Sequence, residues 1–122
     1  MPSILLVDDD EQLRSMLKIV LSRAGHEVLE ARNGKEALEF QRSNPSDLMI
    51  TDLIMPEKEG LDTIIEFRRR FPDIKIIAMS GGGRINSDCY LDFAKKLGAN
   101  CTLAKPFSNV EFLDRVQMVL QS

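Results

Sequence analysis

The chain has one histidine and two cysteines among its 122 residues. Cys89 and Cys101 show none of the short paired spacings of a zinc site, so they read as reduced thiols, at most one of them exposed. His26, the lone histidine, follows Gly25 in a turn and is expected to be exposed and uninvolved. No apolar run is long enough to cross a bilayer, and no basic segment followed by an apolar stretch marks the N-terminus for secretion. A cytoplasmic protein without a membrane partner is the expectation. There is no excess of positive charge: 16 Lys and Arg against 19 Asp and Glu leave a net charge of −3. Nucleic-acid binding therefore gains no electrostatic support from the chain as a whole. Arg68-Arg69-Arg70 is a local exception, read as a solvated helix end where cations are favoured. Linkers, repeats and low-complexity stretches are also missing. Residues 1–122 thus read as one domain, large enough to bury a core without staples.

What is present is an alternation of strand-length apolar runs with helical patterns, the signature of βαβ units and a mostly parallel sheet. Residues 3–7 are continuously apolar after Ser3, as a strand buried on both faces should be. Leu13, Met16, Leu17, Val20, Leu21 and Ala24 follow helical spacing, and Gly25 stops them. Residues 27–31 form a weaker strand, suited to a sheet edge. A helix over 35–42 comes next, with Ala37 and Leu38 inward and Phe40 or Gln41 beside them; Asn44-Pro45-Ser46 breaks it. Residues 47–51 are the third strand. After a loop from Met55 to Gly60, Leu61, Ile64, Ile65 and Phe67 or Arg68 mark a third helix. Residues 74–79 and 100–104 are the fourth and fifth strands. Between them lie the flexible Gly81-Gly82-Gly83 and a helix over 87–97, in which Tyr90, Phe93, Ala94 and Leu97 are in phase as core contacts. Ser108 is a fair N-cap for a last helix with Leu113, Val116 and Leu120 on one face. The pattern predicts an α/β fold, (βα)5 and doubly wound. Right-handed crossovers favour a five-stranded parallel sheet of order 2-1-3-4-5, a flavodoxin-like arrangement.

Four of the predicted strands end in polar residues suited to phosphate or metal chemistry. Ile4-Leu5-Leu6-Val7 runs into Asp8-Asp9-Asp10, Leu48-Met49-Ile50-Thr51 into Asp52, Ile76-Ile77-Ala78-Met79 into Ser80, and Thr102-Leu103-Ala104 into Lys105-Pro106. Parallel strands would bring these ends together in the crevice where open α/β sheets bind ligands. Taken singly, each residue has an ordinary explanation. Asp10 reads as a helix cap, Ser80 as a strand-end turn and Lys105 as a solvated cation. As a set they are harder to dismiss. Carboxylates gathered closely resist ionisation unless a cation joins them. Oxygen ligands without His or Cys favour Mg²⁺, or Mn²⁺, over Zn²⁺. Asp52 has no capping duty and could act as a nucleophile that forms an acyl phosphate. Ser80 can donate to a phosphoryl oxygen, Lys105 can pair with the phosphate or with resting Asp52, and backbone amides near Gly81 could add donors.

These residues resemble the receiver domain of two-component response regulators, in its stand-alone form. The resemblance rests on Ile4 to Asp10, on Asp52-Leu53-Ile54-Met55-Pro56 with Gly60, on Ala78-Met79-Ser80, and on Leu97-Gly98-Ala99 with Leu103-Ala104-Lys105-Pro106-Phe107 after it. It implies that Asp52 is the phosphoacceptor, charged by a sensor histidine kinase or phosphotransfer protein. It also implies that Asp9, Asp52 and the carbonyl of Ile54 bind Mg²⁺, that Asp8 acts through metal-bound water, and that Ser80 and Lys105 hold the switch and phosphate-pairing positions. A domain of this kind is a signalling switch and not an enzyme in the usual sense, since it promotes only its own phosphorylation and dephosphorylation. Its output face, made by the fourth helix, fifth strand and fifth helix, would meet a downstream protein target. The Lys105–Pro106 bond is expected to be cis by the same resemblance, against a base rate of about 5%.

Two departures stand out. Thr102 occupies the position of the family's switch aromatic, so no rotating ring can report phosphorylation there. The stretch from Ser80 to Gly98 is longer than the pattern expects, with the excess at Gly81-Gly82-Gly83-Arg84, where a loop that reorders on phosphorylation is predicted. Two competing functions remain on the sequence alone. One is a Mg²⁺-dependent phosphatase with Asp8 as nucleophile and Asp10 as acid/base. The other is an inert interaction module that keeps the fold.

Overall fold

The computed structural model describes residues 2–53, 59–80, 95–96 and 98–121. In chain order the elements are β1 (Ser3–Val7), α1 (Glu11–Arg23), β2 (Glu27–Ala31), α2 (Gly34–Ser43), β3 (Leu48–Asp52), α3 (Glu59–Arg70), β4 (Lys75–Ser80), β5 (Cys101–Ala104) and the last helix, α4 (Asn109–Gln121). All strand pairs are parallel, and the sheet order is β2-β1-β3-β4-β5, the one that the alternation and the crossover rule favour.

The strands' unbroken apolar runs divide between two cores by the period of two along each strand. Leu5, Val7, Met49, Ile76 and Ala78 face one layer, where they meet Ala37 of α2 and Ile64 and Phe67 of α3. Ile4, Leu6, Leu48, Ile50, Ile77, Met79 and Leu103 face the other, against Leu17 and Leu21 of α1 and Phe112 and Val116 of α4. Each fully buried Leu, Ile or Phe contributes roughly 1.5–3 kcal/mol relative to exposure, so these two layers dominate the stability that holds the sheet's end in place.

Local chemistry sets the helix starts. Asp10 caps α1 by accepting from the backbone N–H groups of Gln12 and Leu13 at 3.1 and 3.2 Å. Asn33 caps α2 by accepting from the Glu36 N–H, while the Glu36 carboxylate reaches back to the Arg32 N–H, both at 2.9 Å. Ser108 caps α4 as expected, with its hydroxyl accepting from the Glu111 N–H at 3.1 Å.

Several sequence expectations shift. β3 and β4 each begin and end one residue later than the apolar runs suggest, and α3 begins at Glu59 before the expected loop has ended. Met16 is 46% exposed and Ile65 44%, although both match the helical pattern; α1 turns Arg14 inward beside Leu17 and Leu21 instead. Of Phe40 and Gln41 it is Gln41 that is buried, and its amide both donates to the Ser46 carbonyl and accepts from the Ser46 N–H. His26 is half-buried rather than exposed, with Nδ1 out of contact with solvent. Cys101 is buried.

The arginine cluster also differs from a solvated helix end. Arg69 and Arg70 pair with Glu66 on the helix surface, but Arg68 turns inward and donates to the carbonyls of Pro72, Ile74 and Gly98 and to Asn100 Oδ1. Lys95 and Lys96 are helical, within the helix expected at 87–97. The rest of that helix, with Cys89, Tyr90, Phe93 and Leu97, lies outside the described residues. So do the Gly81-Gly82-Gly83-Arg84 loop and the Ile54 carbonyl.

Candidate functional site

Backbone pairing at the C-terminal edge of the sheet assembles the four strand ends. The Asp8 N–H donates to the Ala31 carbonyl at 3.1 Å, carrying the β1–β2 ladder one residue beyond β1. Asp52 is the last residue of β3 and lies opposite Met79 of β4; the next N–H, that of Leu53, donates to the Met79 carbonyl at 2.8 Å. The Lys105 N–H donates to the Ser80 carbonyl, also at 2.8 Å, and sets the lysine beside the end of β4. Residues distant in sequence thus share one edge.

Their side chains converge. One carboxylate oxygen from each of Asp8, Asp9 and Asp52 lies within 4.8 Å of the others. Lys105 Nζ is 3.2 Å from Asp52 Oδ2 and 3.7 Å from Asp8 Oδ2. Asp8 is fully buried and Asp52 5% exposed, while Asp9 faces solvent. Asp8 Oδ1 accepts from the Asp10 N–H at 2.9 Å, but Asp8 Oδ2 has no hydrogen-bond partner among the described residues. The Ser80 hydroxyl is likewise buried without one.

Burial pushes the Asp8 carboxyl up from 3.8 to about 6; the Asp10 N–H works against the shift, the Asp52 charge adds to it, Lys105 opposes it and Asp9 adds a little. A buried carboxylate with an oxygen in want of a partner, two more carboxylates within reach and one open side suit a hard, oxygen-seeking cation. The three carboxylates therefore fit Mg²⁺.

Asp10 does not join this group. Its carboxylate is engaged as the α1 cap. Asp52 is crowded from behind: a β-carbon built on Gly60 would lie 2.3 Å from the Asp52 carbonyl oxygen and 2.6 Å from Leu53 Cα. The first turn of α3 thus presses against the backbone that carries Asp52, and only glycine fits there.

The family model described as the response regulator receiver domain matches residues 4–117. The chain belongs to the response regulator receiver domain family. The chemotaxis protein CheY of Thermotoga maritima is 38% identical over 117 residues, 93% of this chain and 95% of that protein. The transcriptional regulatory protein CpxR of Escherichia coli is 35% identical over 121 residues, 99% of this chain but 50% of CpxR, so the chain spans about half the length of that relative. Among solved structures, a response regulator from Thermotoga maritima superimposes with a TM-score of 0.87 at 30% identity, covering 100% of this chain and 99% of the other. The receiver domain of NtrX from Brucella abortus gives a TM-score of 0.90 at 26% identity, with 98% of each chain covered.

In this receiver domain the Lys105–Pro106 bond is cis, as the resemblance implies. Thr102 is half-buried on β5 opposite Ala78, and its carbonyl accepts from Arg115 Nη1 at 3.1 Å. No helix among the described residues is long and apolar enough to cross a membrane. Gly60, one of the residues that carry the resemblance, is expected at the end of a loop and instead lies in the first turn of α3 against the Asp52 backbone. One residue beside the site escapes the sequence pattern. Arg14, which donates to the Asp8 carbonyl, looks like part of a polar helix face. Its spacing to Leu17 and Leu21 is the signal that could reveal it, because 14, 17 and 21 form one helical stripe.

Proposed function

We propose that this receiver domain is a phosphorylation-dependent switch in which Asp52 takes a phosphoryl group from the phosphohistidine of a sensor kinase or phosphotransfer protein. The observation that carries this reading is the position of Asp52 at the end of β3, beside Asp8, Asp9 and Lys105. An Asp52 carboxylate oxygen attacks phosphorus as the P–N bond breaks, and the electron pair of that bond returns to the donor imidazole. Asp8, Asp9 and Asp52 hold Mg²⁺ on this reading, with the Ile54 carbonyl as a further ligand. When bound, Mg²⁺ neutralises phosphoryl oxygens and the charge that develops during transfer. The buried Ser80 hydroxyl is a donor for a phosphoryl oxygen, and Lys105 exchanges its pairing with Asp52 for pairing with the phosphate.

The domain promotes its own phosphorylation and dephosphorylation and turns over no separate substrate. Its partners are proteins: the phosphodonor and a downstream target that reads the altered surface. A net charge of −3 favours protein over DNA as the partner of these 122 residues, and cytoplasmic placement goes with this reading. The phosphatase alternative requires Asp10 as a free acid/base, a role at odds with its capping bonds.

Acetyl phosphate with Mg²⁺ tests the reading. One phosphoryl group per chain, labile to hydroxylamine and absent in Asp52→Asn, is expected. Turnover of a phosphomonoester that survives Asp52→Asn and is lost in Asp8→Asn would instead favour the phosphatase. A chain that neither takes phosphate nor turns it over would be an inert module.

A further inference from the structure

Arg14 is only 7% exposed, on the first turn of α1. A cation near a helix N-terminus is disfavoured by the helix dipole, and burying one costs more unless it is paired. The guanidinium is paired on two sides. Nε donates to Glu30 Oε1 of β2 at 3.0 Å, and Nη1 donates to the Asp8 carbonyl at 2.7 Å. Glu30 also meets Lys18 of α1 at 3.4 Å, which holds the anionic partner in place.

The bond to the Asp8 carbonyl bears on the residue next in the chain. Asp8 is restrained at its N–H by Ala31 and at Oδ1 by Asp10. Its carbonyl belongs to the peptide unit that leads into Asp9, whose side chain faces solvent and has little packing to aim it. Holding the oxygen of a planar peptide restricts how that plane tilts, and so where the Cα that carries the Asp9 side chain can sit. The fork of an arginine can hold Glu30 and the carbonyl at once, whereas a lysine offers a single point charge.

We infer that Arg14 is a positioning residue for the metal site: through the Asp8 carbonyl it sets the peptide that aims the Asp9 carboxylate at the cation. This rests on the reading of Asp8, Asp9 and Asp52 as the Mg²⁺ ligands. The sign of the effect separates the inference from simpler accounts. Removing a nearby positive charge should tighten cation binding if Arg14 acts only through its field. It should leave binding unchanged if Arg14 merely ties α1 to β2. It weakens binding if Arg14 positions a ligand.

The test is titration of the 122-residue chain with MgCl₂, monitored by calorimetry and by the backbone amide signals of Asp9 and Lys105. Arg14→Met should weaken Mg²⁺ about tenfold, the usual scale for loss of a residue that orients a metal ligand. Arg14→Lys keeps the charge and most of the stem, so it remains informative should Arg14→Met not fold, and it should weaken Mg²⁺ to a similar extent. Glu30→Gln removes the ion pair and leaves the guanidinium its bond to the carbonyl, so its affinity should stay within about threefold of the parent. Unchanged or tighter binding in the Arg14 variants, or an equal loss in Glu30→Gln, would overturn the inference. Asp9→Asn serves as the reference. If it loses binding while the Arg14 variants match the parent, the inference alone falls. If the parent itself binds no Mg²⁺, or Asp9→Asn binds as the parent does, the reading of the metal site falls and takes the inference with it.

Discussion

Lys105 Nζ lies 3.2 Å from Asp52 Oδ2 and 3.7 Å from the unbonded Oδ2 of Asp8, so one ammonium spans both buried carboxylates of the site. In the proposed switch, that ammonium and a bound cation compete for the same oxygens. Lys105→Met should therefore tighten Mg²⁺ binding, by at least about threefold given the Coulomb energy of unit charges at such distances in a partly screened site. The same variant leaves a phosphoryl group on Asp52 without its cation, so the amide shifts produced by beryllofluoride should shrink. Magnesium titration of the parent and Lys105→Met, read by calorimetry, checks the first part. An unchanged affinity would mean that the lysine does not hold this position in solution.

Asp8 gives the domain a pH-dependent liability. Its carboxyl sits near 6 when folded against 3.8 ordinarily, chiefly because it is buried. The folded chain therefore binds this proton more tightly than the unfolded chain, and stability falls as pH rises between those two values. A shift of this size corresponds to about 3 kcal/mol of lost stability once pH exceeds 6 without metal. Urea denaturation with EDTA, monitored by circular dichroism, should find Asp8→Asn more stable than the parent at about pH 7.5, with the advantage shrinking toward about pH 4. Saturating Mg²⁺ should raise the parent's stability more at the higher pH than at about pH 5, and should do little for Asp8→Asn.

The sheet order and most elements are legible in the sequence because two periodicities are plain: unbroken apolar runs for strands covered on both faces, and three-four spacing for the helices. Asp8, Asp9, Asp52 and Lys105 are legible for a related reason, since parallel strands of similar length must end together. Arg68 and Arg14 are not. A sequence pattern treats a charged side chain as solvated, and neither shows that its acceptors lie on other elements: Gly98 and Asn100 for Arg68, Glu30 for Arg14. Met16 illustrates the converse. It fits the stripe, but turning Arg14 inward rotates α1 so that Met16 faces outward.

Gly60 should be intolerant even of alanine. The added carbon would meet the Asp52 carbonyl at 2.3 Å and Leu53 Cα at 2.6 Å, and both are backbone, so neither can swing aside. Either α3 or the end of β3 must move. Overpacking of this kind costs roughly 1–3 kcal/mol, which Gly60→Ala should show as a lower urea midpoint. The catalytic loss should be larger than the stability loss implies, because a displacement of about 1 Å of a reacting group can cost on the order of 100-fold in rate. Acetyl phosphate labelling of folded Gly60→Ala, compared with Asp52→Asn as the zero, measures it. Labelling at the parent's rate would show that the strand end absorbs the strain without moving Asp52.

Arg68 offers the sharpest contrast between an exposed cation and a structural one. As a solvated helix end, its replacement by alanine would change stability by no more than about 0.5 kcal/mol. The structure gives it four acceptors: the carbonyls of Pro72, Ile74 and Gly98 at 2.7–2.8 Å, and Asn100 Oδ1 at 3.0 Å. Asn100 Oδ1 also accepts from the Ile76 N–H, and the Asn100 N–H donates to the Ile76 carbonyl, so the guanidinium ties the end of α3 to the start of β4 and the approach to β5. Gly98 adopts φ +126 directly beneath it, where a β-carbon would meet the arginine side chain at 2.9 Å. Charge-assisted bonds are individually worth more than neutral ones and leave carbonyls unsatisfied when removed, so Arg68→Ala should lose about 2–3 kcal/mol. Arg69→Ala, which removes an exposed cation paired with Glu66 on the helix surface, should lose less than about 0.5 kcal/mol. Because these bonds lie at the far end of α3 from Asp52, Mg²⁺ affinity should be the same in the parent and in folded Arg68→Ala. A loss as small as that of Arg69→Ala would mean that the four bonds do not persist in solution.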